Sequence, residues 1–279
     1  MEALASWIGR QERAEDDIAA TPIAAYAALL DREPVRPAAG HAIPLLTHWF
    51  YFLPLHREST LGADGHAERG GFLPPVDLPR RMWAASRFRF HAPLRVGDHV
   101  ERVSTIESIT PKQGRTGPLV FVRVGHRIGV GATLAIEEEH EIVYRGMSAP
   151  RSEAAPAPPN AGRTAQWRRE VRPDPVLLFR YSALTFNSHR IHFDRPYVTE
   201  VEGYPGLLVH GPLLGTLLVD GLTQSEPAVR VSRYEFKAIK PVFDTAPFYV
   251  CGRRDGARAS LWIEDADGAL CMDAAAELE

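Results

Sequence analysis

Cysteine is scarce in this chain, with two in 279 residues, Cys251 and Cys271. Both fall in stretches that alternate like strands, which excludes a disulfide framework. A reduced, cytoplasmic setting with two small buried thiols is the expectation. Long apolar runs are lacking too. None reaches the roughly 18–20 residues that span a bilayer, and the first ten residues carry no basic leader before Glu12, Glu15, Asp16 and Asp17. Neither a membrane association nor a signal peptide is therefore expected. Nor does one sign of charge prevail: 32 Lys and Arg against 35 Asp and Glu give a formal net charge of −3. That balance argues against a nucleic-acid partner and leaves local basic clusters to meet the phosphates of a small ligand.

What is present divides the chain in two. Residues 147–165 are rich in Pro and Ala and empty of large apolar side chains, which reads as a linker between halves 1–146 and 166–279. The halves share a pattern. Ser86-Arg87-Phe88-Arg89-Phe90-His91-Ala92 matches Ser232-Arg233-Tyr234-Glu235-Phe236-Lys237-Ala238, and Asp98 matches Asp244 at the same spacing. An internal duplication follows. Alternation of Val, Ile, Phe and Thr with charged residues predicts antiparallel strands at 86–91, 99–109, 118–128 and 133–144, then at 231–240, 246–253, 258–264 and 269–277. Asp255-Gly256 and Asp267-Gly268 mark hairpin turns in the second half.

Each set of strands is preceded by an apolar helical candidate. In the second half it begins at Gly211-Pro212 and runs through Leu213 to Leu222, with glycine as cap and proline in the first turn. In the first half it spans Leu45 to Leu55 and is rich in aromatics. A buried helix wrapped by an antiparallel sheet, twice over, makes the expected class α+β, a double hotdog.

The chemistry concentrates in Phe186-Asn187-Ser188-His189-Arg190-Ile191-His192-Phe193-Asp194, followed by His210-Gly211-Pro212. An imidazole exchanges protons near neutral pH, and an N–H at a helix N-terminus can hold a developing oxyanion. His192 is accordingly the candidate general acid/base, Gly211 the candidate oxyanion donor, and Asn187 the candidate holder of water. His189 and His210 are expected beside them as binding or supporting groups. A metal reading of His189, His192 and Asp194 lacks the strong zinc spacings, and no metal is expected.

These residues resemble the MaoC-like, R-specific hydratase superfamily, whose motif runs Asp-x-Asn-Pro-(Ile/Leu)-His ahead of a His-Gly helix start. The form found here is similar to that of the type 2 hydroxyacyl-thioester dehydratases. On this chain the motif's histidine falls on His192, its glycine on Gly211 and its aspartate on Asn187. Gly71-Phe72-Leu73-Pro74-Pro75, Arg80-Arg81-Met82-Trp83 and Leu94-Arg95-Val96-Gly97-Asp98 resemble the N-terminal dehydratase-like domain of two-hotdog hydratases. The resemblance implies a hydro-lyase acting on an acyl-CoA thioester without a separate cofactor, CoA being part of the substrate, and a chain able to form a homodimer. Among such fusions it points to hydration of a branched C5 dicarboxylic enoyl-CoA, mesaconyl-C4-CoA or itaconyl-CoA, to give citramalyl-CoA.

A free acyl carboxylate needs a cation. Arg190 and Arg195 are candidates by proximity to the motif, and the loop from Lys112 to Arg115, or Arg80 and Arg81, for the CoA phosphates. Three alternatives stand beside this reading. A 3-hydroxyacyl-thioester dehydratase of fatty-acid or polyketide metabolism calls for a long apolar tunnel. A non-catalytic acyl-thioester binding module would bind without turnover. A thioesterase would need a carboxylate such as Glu200 or Glu202.

Overall fold

The computed structural model describes residues 2–114, 117–146 and 163–279. The linker expected at 147–165 thus lies outside the described residues, apart from its last three. After a short helix α1 (Glu2–Ala5), the first half runs β1 (Gln11–Asp17), α2 (Ala20–Leu29), β2 (Arg80–Phe90), β3 (His99–Gly114), β4 (Gly117–Val130) and β5 (Thr133–Arg145). The second half runs β6 (Trp167–Val171), α3 (Pro175–Leu184), α4 (Gly211–Ser225), β7 (Val231–Ala238), β8 (Phe248–Asp255), β9 (Arg258–Asp265) and β10 (Leu270–Leu278). The eight strands expected from alternation are all found, and the two Asp-Gly turns place Gly256 and Gly268 at φ 60° and 76°. Two edge strands, β1 and β6, are added.

The architecture is the expected α+β double hotdog, with its halves fused edge to edge. Strand order is β1-β3-β4-β5-β2-β7-β10-β9-β8-β6, all antiparallel, so the second five mirror the first. The repeat found in the sequence lies at the centre of that symmetry. Its two copies sit on β2 and β7 and pair with each other, Phe88 opposite Tyr234 and Arg87 opposite Glu235. The sheet is continuous where two separate sheets were expected.

Helix α4 fills the second half. Leu213, Leu217, Leu218 and Leu222 are all buried to 2% exposure or less, each stabilising the fold by about 1.5–3 kcal/mol through area removed from water. Asp220 is buried in the same helix because Arg32 holds it bidentately at 2.8 and 2.6 Å. Gly215 is required where β7 crosses, since a Cβ there would stand 2.8 Å from the Phe236 ring.

The helix expected at Leu45–Leu55 is a correction. That segment forms only a 3-10 turn, Thr47–Phe50. Pro44 and Pro54 bracket it, Leu46 and Phe52 adopt left-handed φ of 65° and 51°, and the aromatic rings pack individually instead of lining one helical face. The helix of the first half is α2, which packs on α3. With no long helix between them, β2–β5 leave a concavity open toward α4. Among the described residues no helix is long and apolar enough to cross a membrane. Both cysteines are buried without a disulfide, and burial pushes their thiols up to about 12.

Candidate active site

His192 is placed by the end of one helix and held by the approach to the next. Asp174 caps α3 by accepting the Leu177 N–H at 2.7 Å, and the chain reverses at Phe186, φ 49°. Asn187 Oδ1 then accepts the His189 N–H at 3.0 Å, closing a turn that leads into the 3-10 segment Arg190–His192. The Leu208 N–H donates to Ile191 O at 3.0 Å. His192 Nδ1 lies 2.7 Å from Leu208 O, a contact that requires a proton on Nδ1 and leaves Nε2 with its lone pair. The ring is 7% exposed. Burial holds its pKa down at about 4, so it is neutral at pH 7 and ready to accept a proton.

His210 stands behind it. The two rings stack at 3.7 Å, and His210 Nε2 meets Ser182 Oγ at 2.8 Å. His210 is 1% exposed and does not line the cavity, so it supports His192 where substrate contact was expected. Gly211 opens α4, ahead of that helix's own hydrogen-bond ladder. Because Pro212 has no N–H, the Gly211 N–H is the foremost donor of the helix terminus.

These groups border one cavity of about 810 Å³, lined by Asn187, His189, His192 and Gly211 from the second half. The first half supplies the opposite wall. Arg102 on β3, His126 on β4, and Glu138 and His140 on β5 stand there with His48, Trp49, His66, Arg81 and Trp83. Glu138 accepts from Trp49 Nε1 at 3.2 Å and meets His48 Nε2 at 3.1 Å. Burial alone would raise its pKa, but the His48 contact and the neighbouring imidazoles hold it at about 2. Burial also lowers His126 to about 4 and His140 to about 3. Trp83 stacks on His140 at 3.7 Å.

A loop of the first half is fastened onto the motif. Arg190 N donates to Asp64 O at 2.9 Å and Ser188 Oγ donates to Gly65 O at 2.5 Å. Asp64 Oδ2 lies 2.9 Å from His66 Nδ1, and the His66 ring packs 3.9 Å from that of His189. Donor groups of Asp64, His66 and His189 lie within 4.8 Å of one another. The trio weighed from sequence does not assemble, because Asp194 is taken by Arg190 and His192 Nδ1 by Leu208.

The two arginines expected to meet a substrate carboxylate are committed elsewhere. Arg190 holds Asp194 through two nitrogens at 2.9 and 2.8 Å and covers the Tyr197 ring, while Arg195 pairs with Asp244. Neither lines the cavity. Among the other cations considered, Arg80 pairs with Glu202 at 2.8 Å and Lys112 lies over Phe121, while Arg115 lies outside the described residues. Arg81 and Arg102 do line the cavity, and neither has a carboxylate within ion-pair distance among the described residues. Arg102 covers the Phe52 ring at 4.9 Å, and its Nε is buried without a partner among the described residues.

Of the first-half wall, the sequence pointed to Arg81 and to the motif holding Trp83 but not to His48, His66, Arg102, His126, Glu138 or His140. The signal was present: Ile136, Glu138, His140 and Ile142 alternate on one face of β5, so two polar residues occupy positions that should be apolar. Arg102 on β3 and His126 on β4 break their strands in the same way, and His126 is directly opposite Glu138.

Known proteins resemble this chain in sequence and in fold. Residues 46–244 match the family model described as hydroxyacyl-thioester dehydratase type 2. A mesaconyl-C(4)-CoA hydratase of Chloroflexus aurantiacus is 48% identical over 275 residues, 98% of this chain and 97% of that one. The mitochondrial hydroxyacyl-thioester dehydratase type 2 of Schizosaccharomyces pombe is 27% identical, covering 78% and 79%. A crystal structure of a MaoC-like dehydratase from Phytophthora capsici superposes with TM-score 0.69 over 100% of this chain and 98% of its own, at 14% identity, a likeness of fold. This chain belongs to the hydroxyacyl-thioester dehydratase type 2 family.

Proposed function

We propose that this protein adds water to a short, branched dicarboxylic enoyl-CoA, converting mesaconyl-C4-CoA (3-methylfumaryl-CoA) to citramalyl-CoA. The observation that carries this reading is the pairing, in one cavity, of the His192–Gly211 site with two arginines that have no carboxylate within ion-pair distance among the described residues. A relative named for the same substrate, 48% identical along nearly the whole chain, supports it.

The chemistry follows from the geometry. The thioester oxygen sits at the Gly211 N–H, where the helix terminus favours negative charge. Asn187, its Oδ1 already used, offers its amide N–H to the attacking water. His192 Nε2 takes a proton from that water as the oxygen bonds to the β-carbon. The π pair moves to the thioester oxygen and returns when the α-carbon receives a proton. Side chains and water suffice, with CoA carried by the substrate.

Arg81 is the cation assigned to the free carboxylate. It shares a face of β2 with Trp83, about 7 Å along the strand, and the Trp83 carbonyl oxygen lies 4.0 Å from where a Gly211 Cβ would stand. That separation suits the short acyl chain of a C5 diacid. A long monocarboxylic chain would instead bury its apolar end among Arg102, His126, Glu138 and His140, at a desolvation cost without compensation. Labour is divided between residues 1–146, which shape the acyl pocket, and 166–279, which carry His192 and Gly211.

A panel of mesaconyl-C4-, itaconyl-, crotonyl- and longer enoyl-CoAs, followed by loss of enoyl-thioester absorbance, tests the substrate. Preference for a C5 dicarboxylic thioester is expected. Arg81→Met should raise KM for that substrate by about 10–100-fold, the worth of a charge-assisted contact, and change KM for crotonyl-CoA little. Activity confined to long monocarboxylic chains would overturn the assignment.

A further inference from the structure

We propose that His66, backed by Asp64, is a second proton-transfer residue of this site, brought from the N-terminal half to do work that the amide of Asn187 cannot. The inference rests on the hydration reading above. Asn187 occupies the position where the resembling motif carries a carboxylate, and it does not titrate. Its Oδ1 is spent on the His189 N–H. Asp64 is a carboxylate that reaches the imidazoles of the site through His66.

The placement is built. His66 Nδ1 is engaged by Asp64 Oδ2 at 2.9 Å, leaving Nε2 as the ring nitrogen without a partner among the described residues, and the ring borders the same cavity as His192. His66 N also donates to Asp64 Oδ1 at 3.0 Å, so the pair is locked within its own turn. The turn is bolted to the motif by Ser188 Oγ on Gly65 O, by Arg190 N on Asp64 O and by Arg190 Nη1 on Ala63 O. Gly65, at φ +85°, has no alternative residue, because a Cβ would overlap the Ser188 carbonyl.

Three imidazoles follow one another across the site: His66 to His189 at 3.9 Å and His189 to His192 at 5.4 Å between ring centroids. Asp64 stands at one end. His66 is the ring of the three with a carboxylate at hydrogen-bond distance, and so the one best able to hold an extra proton.

The step balances with one proton shared between His66 and His192. In hydration, His192 Nε2 takes a proton from water while its oxygen bonds to the β-carbon and the π pair moves to the thioester oxygen. The enolate pair returns to form the new C–H bond with the proton on His66 Nε2, leaving His66 neutral. His192 then gives its proton back to His66 through water in the cavity. One water has been added and both residues are restored. Dehydration runs the same steps in reverse, His66 removing the α-proton.

The groups that face His66 set its charge. Burial lowers its pKa, Asp64 raises it, and Arg81 on β2 and Arg69 lower it; His189 and His192 interact with it from the motif. Its proton-bearing form therefore belongs to the acid side of its ordinary range, and turnover should fall as pH rises past that point.

The test compares His66→Gln and Asp64→Asn with wild type in the full chain, using the substrate selected by the panel. Loss of the proton carrier should lower kcat by about 100-fold or more, as for other general acids, with KM within about threefold. Asp64→Asn, which preserves shape, should lower kcat and move the alkaline limb of the pH profile to lower pH. A merely structural role would not shift that limb. If His66→Gln fails to fold, the Asp64→Asn profile decides alone. An active wild type with His66→Gln kcat within threefold, or an unshifted Asp64→Asn limb, overturns the assignment and leaves the hydration reading standing. Turnover that is lost to a chelator and restored by zinc or manganese overturns it in favour of a metal at Asp64, His66 and His189. A wild type inactive on every enoyl-CoA removes the hydration reading and this inference with it.

Discussion

At the residue scale, the site is a neutral imidazole held against a backbone carbonyl beside the first N–H of a buried helix. The sequence disclosed His192, Asn187 and Gly211 because they lie within one short stretch whose order carries meaning, and the structure places all three on one cavity. It misdirected attention to Arg190 and Arg195, since closeness along the chain says nothing of which partner a long side chain finds; both found carboxylates in their own half. Asn187→Asp should retain activity, because one carboxylate oxygen can accept the His189 N–H as the amide oxygen does and the other can hold the attacking water by accepting from it; kcat measured beside wild type checks this. Gly65→Ala should lower kcat by about tenfold or more, since the displaced turn carries Asp64 and His66 away from the motif and small misplacements at a site are costly. Steady-state kinetics with a circular-dichroism control would show it.

At the element scale, the legible parts were those with strong local signals. The Gly-Pro start of α4, the two Asp-Gly turns and the strand alternation left little freedom, and the elements appear where those signals stand. The first-half helix was misread because aromatics between Pro44 and Pro54 look apolar all round, yet the prolines and left-handed residues exclude a helix. Strands β1 and β6 went unseen because both are short and mostly charged edge strands, Gln11–Asp17 and Trp167–Val171. Leu218 lies at 0% exposure in α4, so Leu218→Ala should destabilise the fold by about 2–5 kcal/mol, measured by denaturant unfolding. Gly215→Ala should also destabilise it by forcing the Phe236 ring aside.

At the scale of the whole molecule, the two five-stranded halves mirror each other in strand order, but the first has only a 3-10 turn where the second has α4. Charged and aromatic side chains of the first half line the cavity opposite His192 and Gly211. This buried polarity has a stability consequence. His126, His140 and His192 are neutral when folded, with pKa values of about 4, 3 and 4, and take protons at their ordinary value near 6.5 when unfolded. The unfolded chain thus binds more protons between about pH 4 and 6.5. Their contribution to stability is present above that window and is lost as pH falls through it. Glu138 acts in the same direction lower down, from its ordinary range to about 2. Tm should therefore fall steadily between pH 7 and 5 in scanning calorimetry.

The central claim, that an acyl-thioester double bond is hydrated at the His192–Gly211 site, is tested most directly by following enoyl absorbance when mesaconyl-C4-CoA meets the purified wild type and His192→Ala. Absorbance should decay with wild type and stay flat, or decay at least about 1,000-fold more slowly, with the variant. Equal decay with both proteins would contradict the account.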